Sequence, residues 1–436
     1  MLIMSKSRFK DFFGSYSFLR GNVGVLMLCR FIWSISRMAQ TYLSLFVLNL
    51  GGSNVTLGLM NSLGSVAQFI MLPIGGYLAD SVSDRIKVIG IGTTCLALSY
   101  LIYMLAPNAT MILIGAFIIN LCFFHSPSQS ALMAASLRPV QRSLGYAFIQ
   151  AVERGTPMII AVFGGILLEI YGIDLGYRVS LGFGVLVGLI VALIRYKFLK
   201  DPTPPNENVE LSTSKVASRI IKAYKDSFST IRQLPRQLKA ITLLSSSMYV
   251  TISMAGPFWV VYATDVIGIT PSEWGYTMTV AGVSTAITAL LSGHLIDRFG
   301  RRRTVLLSLM FMPILMLSYV FCKTFIHVLT FWTLISILLS FLTPAFQALF
   351  IDLTPNRLRG RVNAALGINP FFVQPRGGTM VGIGYVAYIP IMLTTMVSGY
   401  IYEINPKFPW FLLSFTLFLS FLLILLYVHE PESPEE

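Results

Sequence analysis

The chain has 436 residues, of which 55% are hydrophobic and 12% are charged. An ordinary soluble domain carries about 25% charged residues, so a water-soluble enzyme is excluded, because so apolar a surface would aggregate. Disorder is excluded as well, since disordered chains are poor in apolar residues. The net charge of +13 does not indicate nucleic-acid binding, because the basic residues lie in short clusters between apolar segments. The composition therefore predicts an all-α membrane protein that crosses the bilayer many times.

Twelve apolar segments follow one another along the chain. A helix of about 20 residues crosses the ~30 Å hydrocarbon layer at 1.5 Å per residue. We expect spans 1 to 12 at residues 21–49, 55–79, 88–106, 110–136, 144–170, 176–196, 240–267, 272–296, 304–322, 326–353, 379–402 and 408–428. The predicted organisation is a polar N-terminal segment at 1–20, a bundle at 21–196, a basic linker at 197–239, a bundle at 240–428 and an acidic tail at 429–436.

The basic residues set the predicted orientation. Of the 32 Lys and Arg residues, 26 lie in the segments on one side of the predicted membrane, and three lie inside spans. The opposite side holds Arg178, Lys323 and Lys407. Because positively charged loops stay in the cytoplasm, both termini are predicted to be cytoplasmic, in the plasma membrane. The cytoplasmic ends of the spans are called inner below, and the opposite ends outer.

The chain contains an internal repeat. The sequence Gly76-Tyr-Leu-Ala-Asp80 matches Gly293-His-Leu-Ile-Asp297 at an offset of 217 residues, and Arg142 matches Arg359 at the same offset. Two matches at one offset, both at predicted inner loops, indicate a duplication. The predicted fold is therefore 12 transmembrane helices arranged as two pseudo-symmetric six-helix bundles.

Beyond the tenth span the offset of the repeat changes. Gly165-Ile-Leu-Leu-Glu169 resembles Gly399-Tyr-Ile-Tyr-Glu403 at an offset of 234, so the second half carries about 17 extra residues. These residues fall near 367–378, where two prolines and a Gly-Gly pair prevent a continuous helix. The extra segment is either an elbow at the membrane surface or a re-entrant gating segment.

Two motifs resemble a known family. Gly293-x-x-x-Asp297-Arg298-x-Gly300-Arg301 lies between spans 8 and 9, and a degraded copy occupies 76–87. A further pattern, Asp352-x-x-Pro355-x-x-x-Arg359-Gly360-Arg361, follows span 10. With the repeat, these motifs resemble the major facilitator superfamily. The resemblance implies a monomeric secondary transporter whose two bundles rock about a mid-membrane site.

The motif residues predict a gate at the inner side. Asp80 and Asp297 lie at helix C-termini, where a carboxylate is unfavourable unless a cation faces it. Arg142 and Arg359 are the natural partners, and the resemblance implies that these pairs close the inner side in the outward-facing state. The alternative is a static surface pair, which would contribute ~0–1 kcal/mol.

Ionisable residues inside the membrane are candidates for function. Glu153 is the single carboxylate predicted near mid-depth, so we expect it to carry the proton and to pair with Arg37 or Arg154 when deprotonated. The surplus of arginine, which includes Arg30, favours an anionic or polar solute. Arg30 has the alternative of extending to the inner surface.

The resemblance implies that spans 1, 4, 7 and 10 line a central cavity. The alternative for each polar or aromatic residue is packing within a bundle, which for His125 means a hydrogen-bonded structural histidine. The predicted cavity residues are Arg37, His125, Gln129, Arg154, Tyr249, Trp259, Trp332 and Gln347.

Motifs for other chemistry do not occur in the sequence. There is no ATP-binding P-loop, no zinc-protease motif and no nucleophile elbow, and Cys29, Cys95, Cys122 and Cys322 lack metal-site spacing. We therefore expect no enzyme activity and no cofactor. The functional hypothesis is proton-coupled transport of a small organic solute across the lipid bilayer; the alternatives are a proton-coupled multidrug exporter and a non-transporting sensor.

Overall fold

A computed structural model describes residues 21–81, 84–137, 142–202, 225, 234–354, 362, 367, 371 and 384–429. Within these ranges it does not describe the side chains of 80–81, 142–151, 153–154, 290, 294, 297 and 385. In the described part, eight helical stretches are by themselves long and apolar enough to cross a bilayer. One of them, Gly155–Phe198, contains two of the predicted spans.

The first six spans form the N-terminal lobe. Span 2 is the helix Asn54–Ser81 and span 3 is Arg85–Met104. Spans 5 and 6 share the helical run Arg142–Phe198, which breaks at Gly172 with φ +77°. A short 3-10 turn interrupts each of the other two spans: span 1 consists of Asn22–Ser36, Gln40–Tyr42 and Leu43–Asn49, and span 4 of Ala109–Leu121, Cys122–His125 and Ser126–Ser136.

The last six spans form the C-terminal lobe, so the fold prediction is confirmed. Span 7 begins at Arg236, four residues before its predicted start. Its helix Arg236–Ala255 continues through Gly256–Phe258, Trp259–Val261 and a π-helical turn, Tyr262–Ile267. Spans 8 to 12 are Pro271–Phe299, Arg301–Ser318 with Tyr319–Phe321, Phe325–Leu353, Tyr385–Ala387 with Tyr388–Ile404, and Phe408–Tyr427.

The two lobes meet along two seams that the repeat relates to each other. On the seam of spans 2 and 11, the Ser62 hydroxyl donates to the Met392 carbonyl at 2.8 Å. On the seam of spans 8 and 5, the Thr279 hydroxyl lies 3.4 Å from the Met158 carbonyl oxygen and 3.0 Å from that of Ile159. Ser62 and Thr279 are 217 residues apart, and Met158 and Met392 are 234 apart. Both offsets of the sequence repeat thus recur in three dimensions.

Glycines allow the close approach of the lobes at these seams. A methyl group added to Gly58 would lie 2.5 Å from the Thr395 carbonyl oxygen, and one added to Gly275 would lie 3.0 Å from that of Ala161. Gly58 and Gly275 are also 217 residues apart. Small residues let helix backbones pack closely within a membrane.

The lobes are joined from the outer end to mid-depth. Among the described residues, the inter-lobe hydrogen bonds run from Tyr42–Pro271 near the outer end to Gln68–Tyr388 near the middle. Further towards the inner side, a methyl group added to Gly76, Gly155 or Gly293 would meet no atom within 4 Å. In the described part of the molecule, the hydrogen bonds between the lobes therefore lie between the outer end and mid-depth, so the lobes are closed on the outer side.

Candidate functional site

The inner loop between spans 8 and 9 contains the end of the predicted gating motif, from Arg298 to Arg301. Gly300 joins the helices with φ +87°, a left-handed conformation that favours glycine. Arg301 forms an ion pair with Asp352 at the inner end of span 10. Arg302 donates from Nε to the Val428 carbonyl at 2.5 Å and from Nη2 to that of Leu425 at 3.0 Å, which caps span 12. Arg298 is exposed.

The predicted gate itself falls largely outside the described residues. The side chains of Asp80, Arg142 and Asp297 and the whole of Arg359 are outside, so both latches stay predictions. The motif glycines Gly76 and Gly293 have room for an added methyl group, which would meet no described atom of another element within 4 Å.

The two candidate ionisable residues of span 5 also lie outside. The side chains of Glu153 and Arg154 are not among those described, so their roles in proton coupling and solute binding stay predictions. Arg37 of span 1 is described and half-buried. It lies where the helix Asn22–Ser36 ends, and its Nε donates to the Gln40 side-chain oxygen in the following turn.

An arginine and an amide connect two of the predicted cavity-lining spans. With the Gln129 amide oriented so that its oxygen faces the guanidinium, Nε and Nη2 of Arg30 donate to that oxygen at 3.2 and 3.3 Å. Arg30 belongs to span 1 and Gln129 to span 4. Arg30 therefore contacts Gln129 inside the lobe.

His125 lies inside the N-terminal lobe, against span 3. Its Nδ1 is 2.9 Å from the Cys122 carbonyl oxygen, and a methyl group added to Gly92 would lie 2.6 Å from that nitrogen. This position fits the alternative of a structural histidine. The next residue of span 3, Thr93, accepts a hydrogen bond of 2.7 Å from Nη1 of Arg195.

Arg195 is a buried cation at the inner end of span 6, where its position in the chain alone would count it among the basic residues of the inner side. It is 6% exposed, its Nε has no hydrogen-bond partner, and its ion pairs are absent from the described residues. The helical phase explains the difference, because Val187 and Val191 precede it at intervals of four residues and are buried on the same side of span 6. That apolar stripe was visible in the sequence.

Two predicted cavity residues belong to an aromatic cluster in the C-terminal lobe. The ring centroids of Trp259 and Trp332 are 4.8 Å apart, and those of Trp259 and Trp410 are 4.2 Å apart. These three indole N–H groups are buried and have no hydrogen-bond partner in the part of the chain that the structure describes. Spans 7, 8, 9, 10 and 12 supply the full cluster, which we call the tryptophan cluster: Trp259, Tyr262, Trp274, Tyr319, Phe331, Trp332 and Trp410.

The remaining cavity candidates lie on spans 7 and 10. Tyr249 is 3% exposed on span 7, and Gln347 is half-buried on span 10. Gln347 makes no hydrogen bond with a described residue. Two residues of the extra segment after span 10 are described. Gly367 has φ +76°, and the ring of Phe371 packs edge-on against that of Phe346.

The turn in span 1 connects the two lobes at the outer end. The Tyr42 hydroxyl lies 2.9 Å from the Pro271 carbonyl oxygen and 3.1 Å from that of Ala161. The indole N–H of Trp274 donates to the Thr41 hydroxyl at 3.2 Å. Tyr42 and Trp259 are 217 residues apart, so the repeat places a seam residue in one lobe and a residue of the tryptophan cluster in the other.

A polar network crosses the other seam at mid-depth. The Tyr388 hydroxyl of span 11 donates to the Gln68 side-chain oxygen of span 2. The Gln68 amide nitrogen donates to the Asn120 side-chain oxygen of span 4 at 2.7 Å. Gln68 and Tyr388 are 1% and 0% exposed, so water does not compete for this bond, and the Gln68 oxygen takes its hydrogen bond from Tyr388.

The sequence prediction did not select Gln68 or Tyr388, although a signal existed for one of them. Asn61, Ser65 and Gln68 recur at helical spacing on span 2, and all three are buried. A polar stripe in an apolar helix indicates a face turned towards other helices. Tyr388 had no comparable signal, because it is one aromatic residue among many.

Known proteins support the family prediction. The model of the family described as Major Facilitator Superfamily matches residues 25–248 and 241–436. A multi-drug resistance efflux pump PmrA homolog of Lactococcus lactis is 25% identical over 346 residues, which are 77% of this chain and 81% of that protein. Multidrug resistance protein 2 of Bacillus subtilis is 22% identical over 373 residues, 85% of each chain.

A solved structure resembles the whole fold. The peptide transporter POT in complex with sulfate superposes with a TM-score of 0.68 at 14% identity, covering 92% of this chain and 93% of that one. At this identity the likeness shows the fold alone. Because the family model matches both lobes, the chain belongs to the major facilitator superfamily of membrane transporters.

Proposed function

We propose that this protein is a proton-coupled secondary transporter that exports small amphipathic organic solutes and prefers polar or anionic solutes over lipophilic cations. The observation that carries the transport mechanism is the one-sided closure of the two lobes, with hydrogen bonds from Tyr42–Pro271 to Gln68–Tyr388. Such a molecule can expose a central site to one side and then to the other by tilting its lobes about the middle.

The direction and the solute class rest on different observations. Two relatives are named as multidrug efflux or resistance proteins, which supports export and a broad solute range. Arg30 and Arg37, both on span 1 inside the membrane, support a preference for anionic or polar groups, since a guanidinium binds carboxylate and phosphate oxygens well. We place the protein as a monomer in the plasma membrane, with both termini in the cytoplasm.

Transport in purified proteoliposomes tests this function. Three probes separate the solute classes: taurocholate as an anion, chloramphenicol as a neutral polar solute and tetraphenylphosphonium as a lipophilic cation. We expect uphill movement of taurocholate or chloramphenicol under an imposed pH gradient, with less movement of tetraphenylphosphonium. Movement of the cation alone would favour the multidrug alternative, and no flux of any probe would favour a sensor.

Glu153 is the proposed proton carrier, and its substitution gives the sharpest test of coupling. With Glu153→Gln, uphill transport under a pH gradient should fall at least tenfold while downhill exchange continues, because the amide cannot release a proton. Glu169→Gln is the matched control, since Glu169 lies on the same span but is exposed at its outer end. Full uphill transport by Glu153→Gln would reject the proposed role.

A further inference from the structure

The described parts of the two seams differ at mid-depth, although the repeat relates the seams elsewhere. Gln68 of span 2 corresponds to Thr285 of span 8 at the offset of 217, and Tyr388 of span 11 corresponds to Arg154 of span 5 at the offset of 234. Gln68 reaches across its seam to Tyr388. Thr285 instead donates to the Ala281 carbonyl of its own helix at 2.9 Å. Among the described residues, a hydrogen bond between two side chains therefore crosses mid-depth on the seam of spans 2 and 11.

We propose that the Tyr388–Gln68 hydrogen bond is a positioning element that favours the state closed on the outer side, and that Asn120 holds Gln68 in the orientation this bond requires. Tyr388 and Gln68 belong to different lobes, so a tilt that opens the outer side shifts the hydroxyl relative to the amide, and a hydrogen bond weakens steeply when its distance or angle changes. The bond then contributes to one state of the transport cycle and not to the other. This inference rests on the transporter family alone and on no choice of solute, direction or coupling ion.

The chemistry of the Gln68 amide explains why this hydrogen bond favours the closed seam. The Gln68 oxygen accepts from Tyr388, and its nitrogen donates to Asn120, whose own nitrogen donates to the Ala116 carbonyl at 2.7 Å. The chain of bonds fixes which end of the Gln68 amide faces the seam. A buried acceptor that loses its donor is left without water to replace it, so removal of the Tyr388 hydroxyl disfavours the closed seam.

The experiment measures the distance between the outer ends of the lobes. The four native cysteines of the full-length protein are first replaced by serine or alanine. Spin labels are then attached at Pro107→Cys and Lys323→Cys, because both positions are exposed and lie at the outer ends of opposite lobes. With Tyr388→Phe, the ratio of outer-closed to outer-open molecules should fall about tenfold, which corresponds to about 1.4 kcal/mol. No solute is required, so this result is independent of the flux measurements.

Matched variants separate this role from a general loss of packing. Tyr402→Phe removes a buried hydroxyl of the same span that has no hydrogen-bond partner, so its distance distribution should equal that of the parent protein. Gln68→Met removes the amide and keeps the side-chain length, and it should shift the ratio as Tyr388→Phe does. The double variant should shift it no further, because both changes break one bond.

Three results would overturn the inference. An unchanged distance distribution in both Tyr388→Phe and Gln68→Met would show that the bond does not favour either state. An equal shift in Tyr402→Phe would show that any loss of a buried hydroxyl has this effect. Additive shifts in the double variant would show that the two side chains act separately.

Discussion

The core of the N-terminal lobe contains buried polar and charged groups, whereas the core of the C-terminal lobe contains aromatic rings. In the first lobe Gln68, His125 and Arg195 are each less than 9% exposed. In the second, Trp259, Trp332 and Trp410 are fully buried, and the ring of Trp259 lies against both of the others. Hydrogen bonds between side chains can exchange partners at small cost, whereas a packed aromatic cluster resists rearrangement. The duplicated fold thus has an N-terminal lobe whose core can rearrange its hydrogen bonds and a C-terminal lobe whose core is rigid.

The largest expected effect tests the rigid lobe. Trp410→Ala should destabilise the protein by about 3–5 kcal/mol, because it leaves a large cavity inside the tryptophan cluster. The measurement is the thermal unfolding midpoint in detergent. Trp410→Phe is the control, since it keeps most of the ring and removes an N–H group that lacks a partner. A midpoint for Trp410→Ala near that of the parent would contradict a rigid cluster.

The next effect has the opposite sign and tests the polar lobe. Arg195→Met should leave the thermal midpoint unchanged or raise it, because a buried charge that has no ion pair among the described residues carries a desolvation cost that an apolar side chain of similar length does not. Arg178→Met on the same span should lower the midpoint, because Arg178 pairs with Asp174 and donates to the Met104 and Ala106 carbonyls. If Arg195→Met lowers the midpoint as far as Arg178→Met does, Arg195 supports the lobe in spite of its missing ion pair.

The smallest effect is expected at the outer end, where the lobes meet. Tyr42→Phe removes a single inter-lobe hydrogen bond and should cost about 1 kcal/mol, with a change in transport rate below tenfold. Proteoliposome flux and the thermal midpoint measure the two consequences. Tyr100→Phe serves as the comparison, because Tyr100 stacks on Trp33 within the lobe and away from the seam. Complete loss of flux in Tyr42→Phe would contradict this prediction, because it would mean that the inter-lobe contact at the outer end controls transport more strongly than one hydrogen bond of about 1 kcal/mol can.

The arrangement of the spans could be predicted because it follows from length, charge and repetition. Segments of about 20 apolar residues must be helices in a bilayer, and the two offsets of the repeat recur in the Ser62–Met392 and Thr279–Met158 contacts. Interruptions inside spans were less visible. The turn at Gln40–Tyr42 contains neither proline nor glycine, so nothing in its sequence marks it as a break.

The contents of the site were harder to predict, because they depend on which way each helix faces. The position of Arg195 in the chain predicts a cytoplasmic residue, but the helical phase of span 6 directs its side chain into the interior of the lobe. Trp259 and Trp332 read as cavity residues by their spans, yet they face the other members of the tryptophan cluster. Rotation about the helix axis is set by packing against neighbours, which a single sequence does not list.

The placement of the tryptophans gives the protein a built-in optical signal. Four of its five indoles lie in one cluster, and Trp274 of that cluster bonds to Thr41 across the seam. When the outer side opens, water reaches this indole first, and its emission moves to longer wavelength. We therefore expect the native fluorescence of the unlabelled protein to report in real time on whether the outer side is open or closed.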